Sequence, residues 1–157
     1  MSGFGTVISV TKKGVQEVTK NELEAFADEV ISLLKKETSA EAKVLALSGD
    51  LGAGKTTFTQ ALGRRLGIGE DMTSPTFTIM KGYETTDDTF THVIHMDAYR
   101  IEEDSELRPL HFADILATPN MLVVVEWAER IKGALPKAAL HLTFSIKDEN
   151  TRIVQID

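Results

Sequence analysis

The chain has 157 residues, with 24 acidic against 17 basic side chains, a formal charge of −7 and no cysteine. That length suits one domain with a real core, and the missing cysteine excludes a disulfide framework, a thiolate metal site and a cysteine nucleophile. The acidic balance, with no basic stripe, argues against this chain gripping nucleic acid alone, and no apolar run nears the ~20 residues of a membrane span. The N-terminus lacks a charged-then-apolar leader pattern, so the expectation is a soluble, cytosolic protein.

In chain order, Thr6–Val10 alternates as a strand, and Lys12, Lys13 and Gly14 turn it toward Val15–Val18. Thr19 or Asn21 caps a helix from about Glu22 to Lys36, with Leu23, Phe26, Ala27, Val30, Leu33 and Leu34 on its buried face. Lys43–Ser48 is a short apolar strand, and Thr57–Leu66 has helical apolar spacing at Phe58, Ala61, Leu62 and Leu66. Gly67–Asp71 breaks the chain, and Thr73–Thr76 is not helical through Pro75. Thr76–Tyr83 and Phe90–Met96 suit strands around a turn at Thr85–Asp88. A short helix is predicted over Ser105–Leu116. Met121–Glu126, apolar until its last residue, reads as a strand buried on both faces of a parallel sheet. Trp127–Lys132 makes a helical turn or two, and Leu140–Ile146 with Arg152–Ile156 forms a closing hairpin. With no repeat, low-complexity tract or linker, the expectation is one α/β domain over residues 1–157, with 1–14 reading as an N-terminal extension.

Between the second strand and its helix stands Gly49-Asp50-Leu51-Gly52-Ala53-Gly54-Lys55-Thr56, a complete G-x-x-x-x-G-K-[ST] loop. Backbone N–H groups of such a loop, gathered at a helix N-terminus, wrap a di- or triphosphate. Lys55 would reach the β- and γ-phosphates, and the Thr56 hydroxyl would be a Mg²⁺ ligand. The chemistry also needs an acid at a neighbouring strand end. Glu126 and Asp97 each close an apolar run in that manner, where ligands of open parallel sheets sit. Trp127, the only tryptophan, serves either as core packing or as an aromatic wall at the site mouth. Arg100 reads as a phosphate contact or as a surface ion-pair partner. The four histidines, His92, His95, His111 and His141, lack metal-ligand spacing and read as surface or strand residues.

Four blocks together, Gly49–Thr57, Ser74–Ile79, His95–Arg100 and Val125–Trp127, resemble the signature blocks of the TsaE family, over roughly residues 19 to 156. The resemblance implies a P-loop NTPase-like three-layer sandwich, its central sheet mostly parallel with added antiparallel strands. It implies hydrolysis of ATP with Mg²⁺ in support of threonylcarbamoyl transfer to the tRNA adenosine beside the anticodon. The implied partners are the transferase TsaD and its paralogue TsaB, with tRNA reached only through them and no membrane involved. Carried over by position, residues 50–57, Trp127 and Arg152 line the nucleotide site, and Thr56, Glu126 and Asp97 lie near the metal. Ser74-Pro75-Thr76 matches a switch-like segment, and Thr76 joins Lys55, Asp97 and Glu126 as a catalytic candidate. With no glutamine beside the loop, Thr76 or Asp97 is the best available orienter of the attacking water. The family's usual Leu-Gly after Arg100 is replaced here by Leu110-His111. Two other readings use the same loop. One is a small-molecule kinase, whose lid would draw on Arg100, Arg108 and Arg130; the other is a nucleotide-sensing module that binds but barely hydrolyses.

Overall fold

The computed structural model describes residues 14–36, 39–73 and 79–157. Its strands are β1 (Gly14–Thr19), β2 (Lys43–Gly49), β3 (Met80–Glu84), β4 (His92–Asp97), β5 (Met121–Glu126), β6 (Leu140–Ile146) and β7 (Thr151–Ile156). They form one seven-stranded sheet in the order β1-β7-β6-β2-β5-β4-β3. The central run β6-β2-β5-β4 is parallel, and β1, β7 and β3 are added antiparallel. Its helices are α1 (Leu23–Lys35), α2 (Lys55–Arg65) and α3 (Phe112–Leu116), with 3₁₀ segments at Lys20–Glu22, Asp104–Leu110 and Ala128–Ala134.

The apolar runs of β2 and β5 are continuous because both faces of the sheet are covered. Leu45, Leu47, Leu122 and Val124 point to one side and pack with Phe26, Phe58 and Leu62 of α1 and α2. Val44, Ala46, Val123 and Val125 point to the other and meet Ile101, Leu107, Phe112 and Ile131. Helices on both faces make the expected three-layer sandwich of the P-loop NTPase type. The Phe26 and Phe58 rings, 5.5 Å apart, lock α1 onto α2, and Phe58 meets Phe144 at 5.6 Å. Thr19 starts the α1 region as expected, its backbone N–H donating to Glu22 Oε1 at 2.9 Å. Ion pairs Arg64–Glu24 and Arg65–Asp28, both 2.8 Å, bridge the two helices, but their half-exposed side chains make each worth little.

The expected helix over Ser105–Leu116 is a correction. The chain there is a 3₁₀ segment, Asp104–Leu110, and a five-residue helix, α3, separated by His111 at φ 57° and ψ 39°. A left-handed residue cannot continue a right-handed helix, so the two pieces part at His111. The resemblance noted above leads one to expect glycine here, and glycine adopts that conformation without a Cβ penalty. The expected strand at Thr6–Val10 and the Ser74-Pro75-Thr76 segment lie outside the described residues, and β3 begins at Met80.

The expected turn between β3 and β4 is built on Asp87. Its carboxylate accepts the backbone N–H groups of Thr89 and Phe90 at 2.9 Å each and the Lys35 ammonium of α1 at 2.8 Å. Partial burial raises its pKa, but the Lys35 contact and the two N–H bonds outweigh that, and the carboxyl sits below its usual value.

Two stability predictions follow from these local features. His111→Gly should raise stability by roughly 0.5–1 kcal/mol in urea unfolding, since it relieves the left-handed conformation of an exposed residue. Asp87→Asn should cost about 1 kcal/mol at neutral pH, because charge-assisted bonds are lost. With the folded pKa depressed, the stability that Asp87 contributes is complete above the ordinary carboxylate pKa and disappears as pH falls through the folded one. The gap between parent and variant, followed by unfolding at a series of pH values, should therefore close in acid.

Candidate phosphate-binding site

The loop between β2 and α2 owes its shape to glycine. Gly49, Gly52 and Gly54 stand at φ 135°, 80° and 105°. At Gly49 a Cβ would lie 2.3 Å from the Phe144 carbonyl oxygen of β6, so the loop leaves the sheet in a space only glycine fits. A cleft of about 420 Å³ opens above the loop. It is lined by the loop residues Leu51, Gly52, Gly54, Lys55, Thr56 and Thr57, by Asp97 and Tyr99 after β4, by Glu126 and Trp127 at the end of β5, and by Arg152 of β7.

Strand register brings the two acids together. Asp97 and Glu126 are direct neighbours on parallel β4 and β5, and Glu126 is level with Leu47 of β2. Both therefore stand at the C-terminal edge of the sheet, beside the start of α2. Glu126 is 2% exposed, and its Oε1 accepts the Thr56 hydroxyl at 2.8 Å. Asp97 Oδ1 accepts the Tyr99 backbone N–H at 2.9 Å, which fixes the bend after β4. The 5% exposed Lys55 donates to the carbonyls of Gly49 and Asp50 and lies 4.2 Å from the centre of the Trp127 ring. Burial pushes the Lys55 ammonium below its usual range, and the carboxylates of Glu129, Glu126, Asp50 and Asp97 pull it back only in part.

Trp127 holds a left-handed backbone, φ 58° and ψ 42°, which is costly for a bulky side chain. That bend turns the chain out of β5 and sets the indole between Lys55 and Tyr99, whose ring centre is 4.9 Å away. Trp127 is thus both of its expected alternatives, partly packed on the core below and a wall of the cleft above. Arg130 caps the stack 5.5 Å over Tyr99, whereas Arg108 lines a different hollow beside His111 and α3. Arg100 is exposed and does not line the cleft.

Most of the expected site residues converge here. Two loop residues act from beneath: Ala53 is fully buried, its N–H donating to the Asp50 carbonyl at 3.1 Å, and Asp50 uses that carbonyl for Lys55 as well. Thr76 lies outside the described residues. His95 is the residue that sequence reasoning missed. It is fully buried, and its Nε2 donates to Glu126 Oε2 at 2.5 Å. The sequence offered only half of the signal: His95 and Asp97 share a face of β4 at two-residue spacing, but that this face looks toward Glu126 is set by the β4–β5 register.

The geometry is matched by kinship. The family described as "Threonylcarbamoyl adenosine biosynthesis protein TsaE" matches residues 18–154. The chain belongs to the TsaE family. The tRNA threonylcarbamoyladenosine biosynthesis protein TsaE of Bacillus subtilis (strain 168) is 41% identical over 122 residues, 76% of this chain and 73% of that one. Its namesake from Haemophilus influenzae is 30% identical over 128 residues, 82% of this chain and 78% of the relative. Among solved structures, Bacillus subtilis YdiB superposes with a TM-score of 0.69 at 28% identity, covering 92% of this chain and 84% of that one. The TsaE match takes in the loop, both acids, Trp127 and Arg152, and it ends within β7.

Gly49→Ala tests how far the loop depends on that close approach. A methyl against the Phe144 carbonyl forces the β2–β6 edge apart and strains a left-handed backbone. The variant should lose at least about 2 kcal/mol in urea unfolding.

Proposed function

We propose that this TsaE-family protein binds ATP with Mg²⁺ and hydrolyses it to support threonylcarbamoyl transfer to a tRNA adenosine beside the anticodon. The observation that carries the reading is the Thr56–Glu126 hydrogen bond at the mouth of a complete phosphate loop, with Lys55 and Asp97 flanking it. The donor set fits the metal. No three acids or histidines among the described residues converge to cage a cation on their own. A hydroxyl and one or two carboxylates suit Mg²⁺, which takes its remaining ligands from phosphate and water. When bound, that ion would neutralise the charge that develops on the phosphate oxygens.

The chain's own residues have separable tasks. Backbone donors of residues 50–57 cradle the polyphosphate at the start of α2. Lys55 exchanges its loop carbonyls for β- and γ-phosphate oxygens, and it does so from a buried position where a charge-assisted contact is strong. Thr56 and Glu126 hold the metal end, and Asp97 stands where it orients the attacking water. Trp127 and Arg152 shield two sides of the cleft. With no glutamine beside the loop, intrinsic hydrolysis is slow, and a partner raises it. The partners are the transferase TsaD and its paralogue TsaB, engaged through the loop face. The −7 charge and the missing basic stripe leave tRNA to them. Of the three lid candidates of the kinase alternative, Arg108 and Arg100 do not line the cleft, and only Arg130, over Tyr99, stands beside it.

The test is phosphate release from ATP by the protein alone and with the TsaB–TsaD pair and tRNA, no small acceptor being added. Slow release, stimulated by the partners, is expected; ADP formed only on adding a small acceptor, with the phosphoryl group on that acceptor and no free phosphate, would favour the kinase. Lys55→Ala should stay folded and lose hydrolysis. Asp97→Ala and Glu126→Ala should each lower Mg²⁺-dependent hydrolysis by about tenfold or more, while nucleotide binding suffers less because the backbone donors remain.

A further inference from the structure

The His95 imidazole is 0% exposed, sits on β4 between β5 and the edge strand β3, and has no part in the hydrolysis described above. Its Nε2 is 2.5 Å from Glu126 Oε2, and the other oxygen of the same carboxylate takes the Thr56 hydroxyl at 2.8 Å. The side chain of Glu126 is 3% exposed, so water has almost no access to supply either bond. His95 Nδ1 is buried and has no partner among the described residues. A buried polar atom left unpaired costs free energy, so this imidazole is retained against a penalty that an apolar residue of the same size would avoid. The ring's only hydrogen bond among the described residues is the one to Glu126.

We infer that His95 is a positioning residue, which fixes the plane of the Glu126 carboxylate so that its other oxygen meets Thr56 and the pair presents one geometry to the metal. The inference rests on the proposal that Thr56 and Glu126 form the metal end of the site. A carboxylate held at one oxygen only can swing about its last torsion, because such terminal torsions are broad. Held at both, Glu126 is set by two strands and one helix at once: β5 carries it, β4 brings the imidazole, and α2 brings the hydroxyl. Outer partners of this kind characteristically change metal affinity by about 10- to 100-fold when removed. Loss of His95 should therefore weaken the metal and leave the backbone cradle of the phosphates intact.

The experiment measures Mn²⁺ binding by electron paramagnetic resonance to the full chain saturated with ADP, and ADP binding in EDTA by calorimetry. The parent is compared with His95→Leu, His95→Gln and His95→Asn. The glutamine amide reaches the place of Nε2, whereas the shorter asparagine amide reaches only the place of Nδ1. His95→Leu and His95→Asn should need about tenfold more Mn²⁺ for half-saturation. His95→Gln should stay within about threefold of the parent, and all four proteins should bind ADP in EDTA alike. Parental Mn²⁺ affinity in His95→Leu would overturn the inference. Should His95→Leu fail to fold, the pair of amides decides: equal Mn²⁺ affinity in His95→Gln and His95→Asn overturns it equally. A parent protein that takes up no Mn²⁺ with ADP would instead overturn the metal site itself, so the two failures are distinguishable.

Discussion

A carboxylate cannot be buried at the end of an apolar strand unless its oxygens are answered, and here that requirement organises the molecule. Glu126 follows four fully buried β5 residues and is itself 2% exposed. An unpaired charge there would cost several kcal/mol. Its partners, Thr56 and His95, lie 70 and 31 positions away in the chain, so they meet it only when β4, β5 and α2 are all in register. The free energy that holds the site in shape is thus the same free energy that penalises misassembly. A shift of β4 by one residue along β5 would turn His95 away from Glu126 and leave the acid half-satisfied.

The parts of this arrangement that repeat or alternate were readable from the residues. β2, β5 and the closing hairpin carry unbroken or alternating apolar runs, and α1 carries a helical stripe, so their existence and order followed. Lys55 and Thr56 come with the loop, and Asp97 and Glu126 are marked because each ends an apolar strand. His95 escaped because a histidine was weighed only as a metal ligand, whereas its role is fixed by a neighbour on the adjacent strand. Such pairings depend on register, which a single strand does not encode. The break at His111 escaped for a different reason. A left-handed position is visible when glycine marks it, and here a histidine takes that conformation under strain.

Trp127 shows where local strain is placed. A bulky residue in a left-handed backbone costs of order 1–3 kcal/mol, and it persists only where the surroundings enforce it. The enforcing contacts lie one residue earlier: Glu126 is pinned by Thr56 and His95, and the Glu126 carbonyl takes the Ala98 N–H at 2.9 Å. The return is a tryptophan whose indole lies against Lys55, so ligand entry, Lys55 movement and indole environment are mechanically joined.

The strand order also dictates the sequence of events on the ribosome. β1 begins at Gly14, yet its neighbour in the sheet is β7, which closes at Ile156, and Thr19 is level with Thr151. The first described strand is therefore made long before β7, its partner among the described residues, exists. Until β7 emerges, β1 and the flank of β6 wait as open edges, even though the phosphate loop, its helix and both acids have already been synthesised. Vectorial synthesis thus leaves the sheet unclosed until β7 is made, and β7 acts as the latch that makes folding of the described sheet cooperative.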